Sequence, residues 1–300
     1  MKNITLRFVL TLLLFCYVQT SYAESESKPS ILHPKGLLWK IETPGNSTSY
    51  LYGTMHVSDS QVTSLSAPVE TAFMQARHFV MEVLMNFEAM GYVSQVSFFN
   101  DGRTLQSVMG VDAYMQLKAL FNKRIFIAEE VINNMKPWAV LMLLMVPADQ
   151  QIQGAEALDM VLYRRASQRK LQLSGLETVQ EQIGIFDSLS MQDQLWLLNR
   201  AIEDIEITDA LFPKMLTAYI ERDLAQLVAI QHSFMSEGSE IDERFMHKLL
   251  DERNVRMAKR MRPILKQGKA FIAIGALHLP NKGGVLDLLE QQGYKVTPVY

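Results

Sequence analysis

The chain has 300 residues, of which 48% are hydrophobic and 20% charged, with 15 Gly and 10 Pro. That is a globular composition, and it argues against long disordered tracts, collagen-like repeats and a polytopic membrane protein. With 29 basic against 32 acidic residues the formal charge is −3. No overall field exists to hold a polyanion, so nucleic acid is not expected as a partner.

The N-terminus carries a short basic region, Lys2 and Arg7, followed by 11 mostly apolar residues from Phe8 to Val18 and then Ser21-Tyr22-Ala23. This is the pattern of a secretory signal peptide cut after Ala23. The apolar run falls short of the roughly 20 residues of a membrane span, so no stable span is expected once the signal is removed. Cys16, the single cysteine, lies in this segment. The expected mature chain, from Glu24, therefore has no disulfides, no thiolate metal site and no cysteine nucleophile. The reading is an exported protein, best suited to a bacterial periplasm.

Residues 24–35 read as a flexible lead-in. Gly36–Glu42 and Thr48–Tyr52 then form two strand patterns around the turn signal Pro44-Gly45-Asn46-Ser47, predicting a hairpin. Residues 67–77 have helical spacing and Phe79–Leu84 is a β-rich run. From 104 to 265 helical patterns dominate, clearest at Leu105–Phe121, Ala139–Met145, Ala155–Gln168, Met191–Asp209 and Glu243–Leu265, with Leu171–Leu176 as a possible intervening strand. Ala270–Ile274, Gly283–Gln292 and Lys295–Val299 read as strand, helix and strand. The expected fold is α/β: a mixed sheet built from the N- and C-terminal parts, with a large helical insertion roughly over 104–265, the whole forming a single domain over 36–300.

Two segments share one grammar. Tyr50-Leu51-Tyr52-Gly53-Thr54-Met55-His56 and Phe271-Ile272-Ala273-Ile274-Gly275-Ala276-Leu277-His278 are each an apolar strand followed by Gly-x-x-His. In open α/β sheets ligands sit beyond the carboxyl ends of strands. Two such loops on neighbouring strands could therefore bring two imidazoles to one metal ion. The alternative is a pair of ordinary loop histidines bonded to nearby carbonyls. His33, His78, His232 and His247 sit in no such context.

A catalytic metal site commonly has three protein ligands, so a carboxylate is needed beside His56 and His278. Glu82 interrupts the apolar run Phe79–Leu84, and a charge in a buried strand must be paired or metal-bound; an edge-strand Glu facing water is the other reading. Glu177 follows another strand pattern and could face the same crevice, or be a first-turn helix Glu. HExxH, P-loop, G-x-S-x-G and G-x-G-x-x-G patterns are all missing from the sequence.

The paired Gly-x-x-His motifs resemble the TraB/PrgY/GumN family, which includes the TIKI metalloproteases. The tail from Gly275 to Val296, residues 51–59, the Glu82 segment, Lys136-Pro137-Trp138, residues 175–178 and Arg253-Asn254 are similar as well. The resemblance implies an α/β fold with a helical insertion. It also implies a divalent metal near His56 and His278, with Glu82 as ligand or base, and for TIKI-like members a peptidase activity.

The expected function is a secreted or periplasmic metal-dependent hydrolase acting on a peptide or small-molecule substrate. Its metal is Mn, Co or Zn, with Glu177 and Arg253 as further candidate groups at the site. The alternatives are a non-catalytic periplasmic protein that binds a metal or another ligand in the same crevice, and a scaffold for envelope polysaccharide assembly with structural histidines. The basic stretch Arg253, Arg256, Lys259, Arg260, Arg262, Lys266 and Lys269 reads as a solvated helix face from which Arg253 could point inward. The 18 Met are scattered over apolar faces and read as core filler rather than a copper site.

Overall fold

The computed structural model describes residues 31–43, 48–124, 127–146, 156–233 and 238–300. The expected signal peptide, the start of the lead-in and the turn 44–47 lie outside the described residues. Among those described, no helix is long and apolar enough to cross a membrane.

Six strands form one sheet: β1 (Leu38–Glu42), β2 (Ser49–Thr54), β3 (His78–Val83), β4 (Gln172–Glu177), β5 (Ala270–Gly275) and β6 (Lys295–Pro298). Their order is β4-β3-β5-β2-β1-β6. β4, β3, β5 and β2 run parallel, and β1 is antiparallel to both β2 and β6. The expected hairpin is thus present, and the sheet is mixed, as the α/β reading requires. β3 and β5 are buried along their whole length, which explains their continuous apolar runs: parallel strands are covered on both faces. β4, at the edge, is buried only at its last two residues.

Two compact units are present. One contains the sheet, from the described residues of Cys16–Leu84, Glu156–Thr178 and Pro213–Tyr300. Part of the helical middle therefore packs with the sheet, including β4 and the helices Leu158–Gln168 and Glu252–Gln267. Beneath the sheet Phe73, from the helix Ala67–Gln75, meets Phe271 edge-on at 5.3 Å between ring centroids, and Phe79 stacks on Phe271 at 6.4 Å. All three rings are fully buried, and aromatic pairs add attraction beyond the area they remove from water.

The other unit is helical and takes in the described residues of Met85–Ala155 and Val179–Phe212. The helix Pro137–Leu144 opens with Pro at its first position, where a missing N–H costs nothing. Lys136 Nζ and Trp138 Nε1 both donate to Oδ1 of Asp187, at 2.6 and 2.8 Å. Lys136-Pro137-Trp138 is thereby a structural brace. Two helical patterns that read as continuous are each broken in the fold. Leu105–Met109 and Val111–Arg124 are separated by Gly110 at φ 85°, and Met191–Glu203 ends at Asp204 before Ile205–Ile220 begins. A residue with positive φ cannot continue a right-handed helix, and Gly adopts it without steric cost.

Candidate functional site

The four parallel strands bring four of the five candidate residues to one end of the sheet. His56 lies two residues beyond β2, and His278 closes a 3-10 turn, Ala276–His278, directly after β5. Glu82 is the penultimate residue of β3 and Glu177 the last of β4. Because β4, β3, β5 and β2 are neighbours in that order, the side chains are carried at successive carboxyl ends, where open α/β sheets place their ligands.

Gly53 is needed for a close approach rather than a turn. A Cβ there would stand 2.7 Å from Leu279 Cδ1 and 3.1 Å from Ala276 Cα. Its absence lets the turn carrying His278 press against β2. Tyr219, from the helix Ile205–Ile220, donates its hydroxyl to the Gly53 carbonyl at 2.9 Å and pins the first motif from the other side.

Each histidine is held through Nδ1. His56 Nδ1 is 2.6 Å from Asp159 Oδ2, and Thr54 Oγ1 donates to Asp159 Oδ1 at 2.7 Å. Burial alone would push the His56 imidazole down, but the Asp159 carboxylate outweighs it and raises the pKa to about 9. His278 Nδ1 donates to Asn254 Oδ1 at 2.6 Å. Asn254 is oriented by donating its own amide to the Gly283 carbonyl at 3.1 Å, so its oxygen faces the imidazole. Burial, then the charge of Arg253, pushes His278 down to about 3. Its ring is therefore neutral, and Nε2 is buried with no hydrogen-bond partner.

Glu82 Oε1 accepts from the Gly275 N–H at 2.7 Å and lies 3.7 Å from His278 Nε2. Its Oε2 accepts from Arg253 Nη2 at 2.6 Å. Burial opposes ionisation, but Arg253 foremost, with His56 and the Gly275 amide, holds the carboxyl well below its usual range. Arg253 is 0% exposed. It also donates through Nε to Glu177 Oε2 at 2.8 Å and through Nη1 to the Leu249 carbonyl at 3.3 Å. Arg256, one helical turn on, donates to Glu177 Oε1 at 2.7 Å. The helix Glu252–Gln267 that carries both arginines follows a π-helical stretch, His247–Asp251. Arg260 donates to the Leu176 carbonyl at 2.8 Å, while Lys259, Arg262, Lys266 and Lys269 are exposed. So the basic stretch is a solvated face only in part.

The structure thus gathers His56, His278, Glu82, Glu177 and Arg253. Glu82 lies in an interior strand, and Glu177 ends a strand rather than opening a helix. Of the remaining histidines, His33 pairs with Glu290, His78 with Ser174 and His247 with Asp251. Asp159, Thr54 and the supporting role of Asn254 escaped sequence reasoning. A signal for Asp159 existed: it shares the spacing i, i+3, i+7 with Leu162 and Ala166, both buried, so a carboxylate interrupts the apolar stripe of its helix.

Among the described residues, no three His, Cys, Asp or Glu side chains are placed so as to hold an ion together. The donor types nevertheless suit a divalent cation. With both Nδ1 atoms engaged, Nε2 is the nitrogen each ring has for a cation. At His56 binding would release the Nε2 proton, while at His278 Nε2 is unprotonated and buried without a partner, with an ionised carboxylate beside it.

An α/β protein whose parallel strands end in two imidazoles and a buried carboxylate–guanidinium cluster has a counterpart among known sequences. A profile of the TraB/PrgY/gumN family matches residues 37–298, and the chain belongs to that family. It is 25% identical to metalloprotease TIKI1 of Danio rerio over 86% of this chain and 62% of that protein. It is 24% identical to metalloprotease TIKI2 of the same fish over 97% of this chain and 67% of the relative, and 26% identical to metalloprotease TIKI2 of Xenopus tropicalis over 86% and 59%. The chain thus spans roughly three fifths to two thirds of the length of these relatives. No solved structure matches it significantly.

Proposed function

We propose that this chain is an exported divalent-metal-dependent hydrolase, a peptidase in substrate class, in which His56, His278 and Glu82 hold Mn, Co or Zn. The observation that carries the reading is His278. Its Nδ1 is tied to Asn254, and its Nε2 is buried without a partner 3.7 Å from a Glu82 oxygen. A buried polar atom left unsatisfied is costly, and a cation is the kind of ligand an unprotonated imidazole nitrogen accepts. The metalloprotease names of the relatives support the peptidase class, and the N-terminal signal pattern supports export to a bacterial periplasm.

When bound, such a cation supplies Lewis acidity and a lowered pKa for water. The protein's own part is positional. Asp159 and Asn254 orient the two imidazoles. Arg253 and the Gly275 amide bond the charged form of Glu82, which suits the carboxylate to ligation and makes it a weak proton acceptor. Glu177 holds Arg253 and Arg256 in register. A non-catalytic binding protein using the same crevice is the second reading, favoured by the contact of Arg253 with Glu82, which engages one carboxylate oxygen already.

The test is metal analysis of the wild-type chain beside the double variant His56→Ala/His278→Ala, followed by a quenched peptide library after loading with Mn, Co or Zn. About one ion per wild-type chain, lost in the variant, with metal-dependent cleavage, is the expected result. Binding without cleavage favours the second reading. Equal metal content in both proteins overturns the site.

A further inference from the structure

We propose that Asp159 is a positioning residue for the candidate metal centre: it delivers His56 with one ring nitrogen outward, and Thr54 fixes Asp159 for that task. The inference rests on the metal reading above and extends it to a residue outside the predicted ligand set.

Asp159 lies in the first turn of the helix Leu158–Gln168 and is 3% exposed. A carboxylate so deeply placed needs compensation, and its two oxygens divide the work. Oδ2 stands 2.6 Å from His56 Nδ1, and Oδ1 accepts the Thr54 hydroxyl at 2.7 Å. The same helix start makes a backbone contact with the segment that carries the histidine, the Leu158 N–H donating to the Val57 carbonyl at 3.1 Å. Three contacts from two adjacent residues therefore converge on Thr54–Val57. The backbone bond alone would anchor the loop. The carboxylate adds control of the imidazole: its ring plane is set, and Nδ1 is committed as the donor, so only Nε2 remains to face a ligand. A carboxylate behind an imidazole also raises its basicity as a ligand.

The arrangement has a neutral counterpart on the other motif. Asn254 performs the same orientation for His278 with an amide oxygen at 2.6 Å. The two supports come from different helices, yet both act on Nδ1. That shared geometry is what a common ligand for the two Nε2 atoms requires, whereas a mere tie between a loop and a helix does not.

The experiment measures Co(II) affinity by competition titration on the full chain, for wild type, His56→Ala, Asp159→Asn and Thr54→Val. Each is accompanied by the melting temperature of the metal-free protein. Asp159→Asn keeps the shape but removes the charge, and its Kd is expected to rise about 10- to 100-fold, the range for loss of an outer-shell partner. Thr54→Val is expected to give a smaller rise in the same direction. A structural role alone would move the melting temperature of the metal-free protein and leave Kd unchanged. As a spectroscopic check, ¹⁵N shifts of the cobalt-free protein loaded with Zn should show His56 protonated on Nδ1.

Wild-type Kd in both Asp159→Asn and Thr54→Val, with binding lost in His56→Ala, overturns the role of Asp159 and leaves the metal reading standing. No Co(II) or Zn binding by the wild type overturns both. Should Asp159→Asn fail to fold, Thr54→Val decides: an unchanged Kd rejects the inference and a raised one supports it.

Discussion

Arg253 Nη2 lies 2.6 Å from Glu82 Oε2 although 171 positions separate the two residues, and the same guanidinium reaches Glu177 on the neighbouring strand. One fully buried cation thus joins the carboxyl ends of β3 and β4. Charges this deep are stabilised only as a set, because each would otherwise face the cost of leaving water without a partner.

Removing Arg253 should therefore be severe. Arg253→Leu removes the cation the two carboxylates share, leaving Glu82 to the Gly275 amide and Glu177 to Arg256, and removing one partner of a buried ion pair typically costs about 3–5 kcal/mol. Chemical denaturation should show a loss of that order. A variant with near wild-type stability would mean that Glu82 and Glu177 take up protons or water without difficulty.

Gly53→Ala tests the close approach of the two motifs. Its methyl would meet Leu279 Cδ1 at 2.7 Å and Ala276 Cα at 3.1 Å, and overpacking of this kind costs about 1–3 kcal/mol. Since Leu279 adjoins His278, metal affinity should fall along with the melting temperature. Lost stability with unchanged affinity would show that the turn shifts without carrying the imidazole.

Metal should also stabilise the fold. A ligand that binds only the native state at 100 times its Kd adds about 2.7 kcal/mol. Thermal unfolding of the wild type should thus shift upward with Mn, Co or Zn and return after chelation. His56→Ala/His278→Ala should show no shift, and an equal shift in that variant would place the ion elsewhere.

His78 gives a pH dependence away from the candidate centre. Its Nε2 contacts Ser174 Oγ at 2.7 Å, its Nδ1 is buried without a partner, and burial lowers its pKa. The unfolded chain takes up a proton near pH 6.5, where the folded one does not. The stability that His78 contributes is then complete above about pH 6.5 and declines as pH falls through that value towards the lowered native pKa. Denaturant titrations between about pH 7.5 and 5.5 should show a flatter stability profile for His78→Gln than for wild type; parallel profiles would contradict the assignment.

Much of this was legible along the chain. β2 and β5 announce themselves as apolar runs ending in Gly-x-x-His, and Glu82 stands out as a charge within a strand buried at every position. Gly110 and Asp204 were harder to read as breaks, because apolar periodicity continues across both. Asp159 was hidden for a different reason. An acid in the first turn of a helix is favoured by the dipole wherever it occurs, so its interruption of the apolar stripe passes for an ordinary helix start until its burial is seen.

What the sequence determined by itself were the local matters: strand and helix periods, the two motifs, and the chemistry available from imidazole, carboxylate and guanidinium. These depend on residue type and near neighbours, and periodicity reports them directly. What only the tertiary structure decided was partnership. Asp159 meets His56 across 103 positions, Asn254 meets His278 across 24, and Arg253 spans 76 positions to Glu177. Such pairings are set by strand order and helix packing, so hydrogen-bond geometry over a few ångströms chose among acids and amides that look alike in the chain.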